Sequence, residues 1–558
     1  MTVKAFPSLA YKRFVAGEVL TALLLTLIAL FAFVLLRNVL PSVLQDELVY
    51  RQDATTRHQG AFALPNYLYF RIYGLSDILG DNFYQGVKAL NVGFLLATSI
   101  FLLFWNRGRV HFWLRAFVSI SYMGAPFIVF SSFHMPETLY GFLVVVALSV
   151  LMRAKFEDAS NAKFLFGLAG VFLGLAVLVK PHAMFVVLGV LIYLAVELLA
   201  GVRDGQKTNR ILIFSGFFLA SRLLVGFLTA GFQTFDFAGS YSDGLSGGQQ
   251  GTGISLSVSI VMDLLGNLAL NFGQHALVTT LFIAPVVYLI ISRRAPLEGS
   301  LRFLLVVLFS VAFALAAFES YITVFSGDDH LSRVLMRHYE FLFPLIWLEG
   351  LRSLKEEARD SPKPFSVALS QFTFAIAFVG IGLTESVFWQ ASAFSDSGFT
   401  FAITEGGNWF FIAIGLLLIS LFTIKFNPKG WLASALAALY FVGLGAFAII
   451  GLFVGNSAPI SSDSFALYLS TILDEDARVM VVGVDKPITE ASVFLLNLPH
   501  ADYEVFDDSA STIDPTEAIG VFDYVVPLSG LEIEDIGQGF IVTEWGKVSD
   551  LRGLSVGK

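Results

Sequence analysis

The chain has 558 residues, of which 56 % are hydrophobic and only 14 % charged, with a mean hydropathy of +0.74 and a net charge of −9. Soluble proteins carry about 25 % charged residues, so a wholly water-exposed fold is excluded. The absence of cysteine excludes disulfides and thiolate chemistry.

The charge is divided along the chain. Residues 456–558 hold 18 Asp/Glu against 5 Lys/Arg, whereas residues 1–455 hold 26 against 30. An acidic segment of this kind repels nucleic acid, and the basic groups elsewhere are scattered over short loops. Lys4, Lys12 and Arg13 precede the first apolar run with no small-residue cleavage site after it, which predicts an uncleaved first helix.

Apolar blocks of roughly 20 residues suit a bilayer crossing. About thirteen are predicted, near 17–39, 87–105, 112–131, 137–152, 164–179, 183–200, 211–231, 274–292, 300–318, 335–351, 365–385, 408–424 and 431–454. The weakest is 335–351, whose short apolar core carries Arg337 and Glu340; if it is re-entrant, the parity of crossings changes. One set of connections is basic, for example Arg153/Lys155/Lys163, Arg203/Lys207/Arg210 and Arg352/Lys355/Arg359/Lys363. The alternate set, including 232–273 and 386–407, has long stretches without Lys or Arg. Basic loops stay cytoplasmic, so the N-terminus is predicted inside and, after an odd number of crossings, the C-terminal segment outside.

The expected fold is therefore an α-helical polytopic membrane domain over 1–455, with outer segments at 40–86, 232–273 and 319–338. In the first of these, Tyr67, Leu68, Phe70, Arg71, Ile72 and Leu75 form a strip suited to lying flat at the interface. In the second, the Gly/Ser-rich patch Gly239–Gly253 lacks the Gly-Lys-Ser/Thr ending of a phosphate-binding loop and is expected to be mobile chain. Residues 456–558 alternate helix and strand patterns: helices over Asp463–Leu473 and Ile488–Asn497, strands over Arg478–Val484, Tyr503–Phe506, Phe522–Val526 and Phe540–Thr543. That predicts a small acidic α/β domain on the outer side.

Four polar clusters stand out because charge at a membrane helix end costs free energy. Asp46-Glu47, followed by Tyr50, pairs two carboxylates that repel unless water, a cation or a basic group attends them. One of them could serve as a general base, or as a ligand for a divalent cation (Mg or Mn), or the pair could belong to a solvated loop. His134-Met-Pro-Glu137 opens a helix, where a carboxylate also suits the dipole. Lys180-Pro-His182 joins two apolar runs with almost no loop; the lysine could snorkel or bind phosphate. The stretch 328–339 carries Asp328, Asp329, His330, Arg333, Arg337, His338 and Tyr339. Basic groups on the outer side run against the loop-charge bias, and an anion such as phosphate is the expected reason for them.

These motifs carry a resemblance. Asp46-Glu47-x-x-Tyr50 followed by Pro65-Asn-Tyr-Leu-Tyr-Phe70 resembles the first outer loop of the GT-C superfamily of polyprenyl-phosphate-sugar-dependent transferases, which includes protein mannosyltransferases and the lipid A aminoarabinose transferase. Pro136-Glu137 resembles the second acidic position of that superfamily, and Gly174-Leu-Ala-Val-Leu-Val-Lys180-Pro181 its Gly-Leu-Ala…Lys-Pro segment. Arg337-His-Tyr339…Pro344 is similar to its Arg-Tyr-x-x-Pro element, with His338 inserted, and the similarity covers about residues 15–350.

The resemblance implies an inverting glycosyltransferase of a bacterial-type inner membrane, taking its sugar from a polyprenyl-phosphate carrier to an extracytoplasmic glycan, lipid or protein. It implies Asp46 as base, with Glu47 and Glu137 supporting it and a cation on Asp46 or Glu47. Lys180, Arg333 and Arg337 would bind the donor phosphate, and Tyr50, His134, His182, His330, His338 and Tyr339 would line the substrate site. The rivals are a transporter or flippase of lipid-linked glycans and a non-catalytic polysaccharide-assembly subunit. A transporter would show polar residues near the midplane and inverted repeats, and neither is visible in the sequence.

Overall fold

The structure, a computed structural model, describes residues 8–37, 39, 44–55, 62, 64–105, 107, 110–154, 159–200, 205–235, 258–283, 286–287, 290, 299–326, 334–352, 431–456, 479–484, 501–506, 512–513, 524–527 and 532–533. The expected spans 365–385 and 408–424, the glycine-rich patch, Asp328, Asp329, His330 and Arg333 lie outside the described residues. The chain divides into two compact units, one of Met1–Arg37, Asp53–Ser132 and Pro136–Gly451, the other of Asn38–Gln52, Phe133–Met135 and Leu452–Lys558.

The first unit is helical. Its helices are α1 (Ser8–Leu36), the end of α2 (Leu44–Thr55), α3 (Tyr67–Tyr73), α4 (Phe83–Trp105), α5 (Phe112–Gly124), α6 (Glu137–Ala154), α7 (Ala159–Val179), α8 (Ala183–Ala200), α9 (Gly205–Ala230), α10 (Val258–Phe282), α11 (Gly299–Ser326), α12 (Phe343–Arg352) and most of α13 (Trp431–Asn456). Among the described residues, six helices are long and apolar enough to cross a membrane, and seven if the pair Phe112–Gly124 and Pro126–Ser132, bent by 47°, is counted as one span. Leu20, Leu23, Leu27, Leu30 and Phe31 on α1 are exposed, as expected where lipid is the solvent. The chain is an integral membrane protein.

Several elements differ from the expected boundaries. The stretch after the first crossing is not an open loop, because Leu44–Thr55 is helical. The strip expected at the interface is divided: Tyr67 and Phe70 are buried, Leu68, Arg71 and Ile72 are half-buried, and Leu75 is exposed together with Ile78 and Leu79 in the following 3-10 segment. The crossing expected at 112–131 breaks at Ala125, which is extended (φ −70°, ψ 161°) because it precedes Pro126. Helix α10 starts at Val258 and α11 runs to Ser326, both well inside the segments expected to be outer loops. The segment 335–351 is no continuous span: 3-10 turns at Met336–His338 and Glu340–Leu342 precede a ten-residue helix, α12. Ten residues rise about 15 Å, half the hydrocarbon thickness.

Helix α6 is the most enclosed of the candidate spans, with 89 % of its window buried. Helices α7 and α9 approach closely through glycine: a Cβ at Gly174 would stand 2.7 Å from the Phe218 carbonyl oxygen. Without a side chain there, the backbones meet and fix where α7 ends.

The second unit has a parallel three-stranded sheet, ordered β2-β1-β4, with β1 (Val479–Val484), β2 (Ala501–Phe506) and β4 (Tyr524–Pro527). Val479 is in register with both Ala501 and Tyr524. A separate parallel pair joins β3 (Thr512–Ile513) to β5 (Glu532–Ile533). Parallel strands need crossover connections rather than hairpins. The expected helices Asp463–Leu473 and Ile488–Asn497 and the strand Phe540–Thr543 lie outside the described residues.

Candidate functional site

Glu137 is the first residue of α6, directly after Pro136, whose carbonyl accepts the Tyr140 N–H at 2.9 Å. The first turn of α6 is braced from the side: Thr138 Oγ1 and Tyr73 Oη each donate to Asn91 Oδ1 at 2.5 Å. Lys180 follows the last residue of α7. Pro181 ends that helix, and Ala183 N–H closes a tight turn on the Lys180 carbonyl at 2.9 Å. Asn66 Nδ2 donates to the Val179 carbonyl at 2.8 Å and pins the same end.

This framing brings Lys180 onto Glu137. The ammonium donates to Glu137 Oε1 at 2.5 Å, with both side chains buried. Arg337, from the 3-10 turn far along the chain, places Nε 3.7 Å from the same oxygen. Two cations sharing one oxygen atom lie within about 6 Å of each other, close enough for one phosphate to contact both. Glu137 Oε2 is buried and has no hydrogen-bond partner among the described residues.

Two imidazoles complete the cluster. The His182 and His338 rings stack with centroids 4.3 Å apart and planes 14° apart. Tyr140 Oη donates to the His338 carbonyl at 2.9 Å, tying the Arg337 turn to α6. Burial first, then Lys180 and Arg337, push His182 well below the usual imidazole range. The His182 ring is therefore neutral at pH 7 and presents polar surface without adding charge.

In the second unit, Glu47 Oε1 accepts the backbone N–H of His134 at 2.7 Å, and the Tyr50 ring meets the His134 ring edge-on at 6.3 Å. Burial and the nearby Arg51 push His134 down to about 3. Asp46 lies on α2, and its side chain is outside the described residues.

One oxygen of Glu47, an expected cation ligand, is engaged by a peptide N–H, and Glu137 faces two positive side chains. Among the described residues no group of three or more His, Asp or Glu is arranged to hold one. Glu137 anchors two of the three expected phosphate ligands, Lys180 and Arg337.

A second polar cluster was not anticipated from the sequence. His275 on α10 joins Tyr339 Oη through Nδ1 (2.7 Å) and Glu319 Oε2 on α11 through Nε2 (3.1 Å). Both residues sit in apolar helices, and the default suspicion attached to intramembrane ionisable groups would have found them. Boundaries drawn at 274 and 318 put them at helix edges instead.

No family model and no curated protein sequence matches the chain. Solved structures do: this chain is similar to ArnT. The crystal structure of ArnT from Cupriavidus metallidurans in the apo state has a TM-score of 0.49 and 14 % identity, over 89 % of this chain and 86 % of that one. The structure of ArnT bound to undecaprenyl phosphate has a TM-score of 0.49 and 15 % identity, over 88 % and 86 %.

Proposed function

We propose that this chain is an inverting membrane glycosyltransferase that moves a sugar from a polyprenyl-phosphate donor to an extracytoplasmic glycan, lipid or protein. The observation that carries this is the meeting of Lys180 and Arg337 on one buried oxygen of Glu137, beside two stacked imidazoles. Residues so distant in sequence converge as a cationic pair of the kind a phosphate diester needs. The GT-C-like motifs at these same positions support it.

In this mechanism Asp46 takes the proton of the acceptor hydroxyl. The freed oxygen attacks the anomeric carbon on the face opposite the phosphate, and the bond to the phosphate oxygen breaks with its electron pair. Lys180 and Arg337, joined by Arg333, stabilise the charge that develops on the leaving phosphate. Arg337 offers a two-pronged contact and Lys180 a point charge. Glu137 holds the two cations in place, and Glu47 positions its helix against the His134 backbone. Tyr50, His134, His182, His330, His338 and Tyr339 line the substrate site. No step is routed through a metal ion.

The same proposal has about thirteen crossings, with the N-terminus cytoplasmic and an acidic α/β domain over 456–558 on the outer side. Reporters at Gly60 and after Lys558 should both read extracytoplasmic; reporters on opposite sides of the membrane would sink the parity.

The decisive experiment pairs two measurements on the purified chain. The wild type should bind a C55 polyprenyl phosphate well above the corresponding polyprenol. Asp46→Asn should keep that binding while transfer slows by about 10²–10⁴. Full transfer by Asp46→Asn, or no preference for the phosphate, would overturn the assignment.

A further inference from the structure

The turn that carries Arg337 is held from a second direction. Thr279, His275 on α10, Glu319 on α11 and Tyr339 are all fully buried. Thr279 Oγ1 donates to Tyr339 Oη at 3.2 Å, and His275 bridges Tyr339 and Glu319 with its two ring nitrogens.

Counting hydrogens orients the chain. Tyr339 Oη already accepts from Thr279, so its own hydrogen goes to His275 Nδ1. The remaining ring hydrogen is then on Nε2 and points at the Glu319 carboxylate. Each bond has one hydrogen, and the donors run in one direction, Thr279 to Tyr339 to His275 to Glu319. The alternative, with a hydrogen on Nδ1, gives Tyr339 Oη two incoming donors and leaves its hydrogen without an acceptor among the described residues. In hydrocarbon that costs more than in water.

Tyr339 closes the 3-10 turn: its N–H donates to the Met336 carbonyl at 2.8 Å, and Arg337 lies between them. Tyr140 holds the other side of the turn through His338. The turn is therefore clamped between α6 on one side and the α10–α11 pair on the other.

We propose that Glu319 and His275 are positioning residues: through Tyr339 they hold the 336–339 turn so that Arg337 stays on Glu137 and Lys180, where the donor phosphate binds. This rests on the phosphate assignment above. It adds two intramembrane residues to the site, acting through Arg337 rather than on the lipid.

The test is a double-mutant cycle on the full chain, with a C55 polyprenyl phosphate and the matching C55 polyprenol as probes. Glu319→Gln keeps the shape and removes the charge. Tyr339→Phe removes only the hydroxyl and keeps the packing. Each should weaken the phosphate lipid about tenfold and leave the alcohol unchanged, as expected for one lost hydrogen bond in a positioning chain. In an Arg337→Ala background, Glu319→Gln should add nothing further, because the effect runs through Arg337. Additive losses, equal losses for both lipids, or unchanged phosphate binding in Glu319→Gln and Tyr339→Phe would overturn this inference alone. A wild type that does not prefer the phosphate overturns the phosphate assignment and this inference with it.

Discussion

Glu18 on α1 and Glu137 on α6 are both buried carboxylates that draw two cations, yet they are finished differently. At Glu18, each oxygen has its own arginine: Arg115 Nη2 at 2.8 Å on Oε1 and Arg107 Nη2 at 3.3 Å on Oε2. The other nitrogens of Arg115 donate to backbone carbonyls of the α4–α5 connection, those of Val110 and Leu103, and Arg107 reaches solvent with 41 % of its side chain exposed. At Glu137 both cations share Oε1, and Oε2 has no hydrogen-bond partner among the described residues. The first arrangement closes a junction between helices. The second gathers two cations from distant parts of the chain on one oxygen.

The largest effect that would sharpen this contrast is at the closed junction. Glu18→Ala leaves buried Arg115 facing no charge, a loss of about 3–5 kcal/mol in stability. Thermal or denaturant unfolding should show it, while the remaining folded protein binds polyprenyl phosphate as before. Selective loss of phosphate binding in Glu18→Ala would erase the distinction. At Glu137 the expectation reverses. Arg337→Ala should weaken polyprenyl phosphate roughly 10- to 100-fold, from about 1.5–3 kcal/mol for hydrogen bonds to a charged group, with a smaller stability change. Arg337→Lys should recover part of it, because charge returns without the fork. A variant that unfolds but binds normally when folded would make Glu137 a second clamp.

Most of the helical pattern was legible because lipid-crossing runs announce themselves by length: α4, α6, α7 and α8 fall close to the predicted spans. The failures have local causes. Ala125-Pro126 bends a span that hydropathy alone reads as straight. Pro344 and the polar run Arg337–Glu340 shorten α12, and hydropathy averages over such breaks. The site was legible as residues, since Glu137, Lys180, Arg337, His182 and His338 all stand out in the sequence, and Lys180 and Arg337 are expected on one phosphate. The pairing of both with Glu137 was not legible, because spacing along a chain does not tell which helix ends meet. His275 and Glu319 were missed for a different reason: hydropathy ends the apolar runs at 274 and 318, so both fall at predicted helix edges, whereas α10 and α11 continue past them.

The smallest effect is in the pH dependence, and it separates the two carboxylate sites a second time. In the unfolded chain an imidazole takes a proton near pH 6.5, whereas burial and the adjacent Lys180 and Arg337 keep folded His182 neutral to well below that. Between those limits the unfolded state binds more protons than the folded one. Stability from this source is therefore complete above about pH 6.5 and falls as the pH drops, by up to about 1.4 kcal/mol per pH unit for each imidazole. His134 contributes with the same sign, and its window closes near about 3. From pH 6.5 to 5 few carboxylates titrate, so the slope there reports the histidines. His182→Phe keeps a ring against His338 and should reduce that slope by one imidazole's share. Glu18→Ala, which removes no imidazole, should lower stability by the same amount at every pH in the window. Parallel curves for wild type and His182→Phe would mean that His182 takes its proton in the folded chain, and that the cluster around Glu137 is more hydrated than its burial indicates.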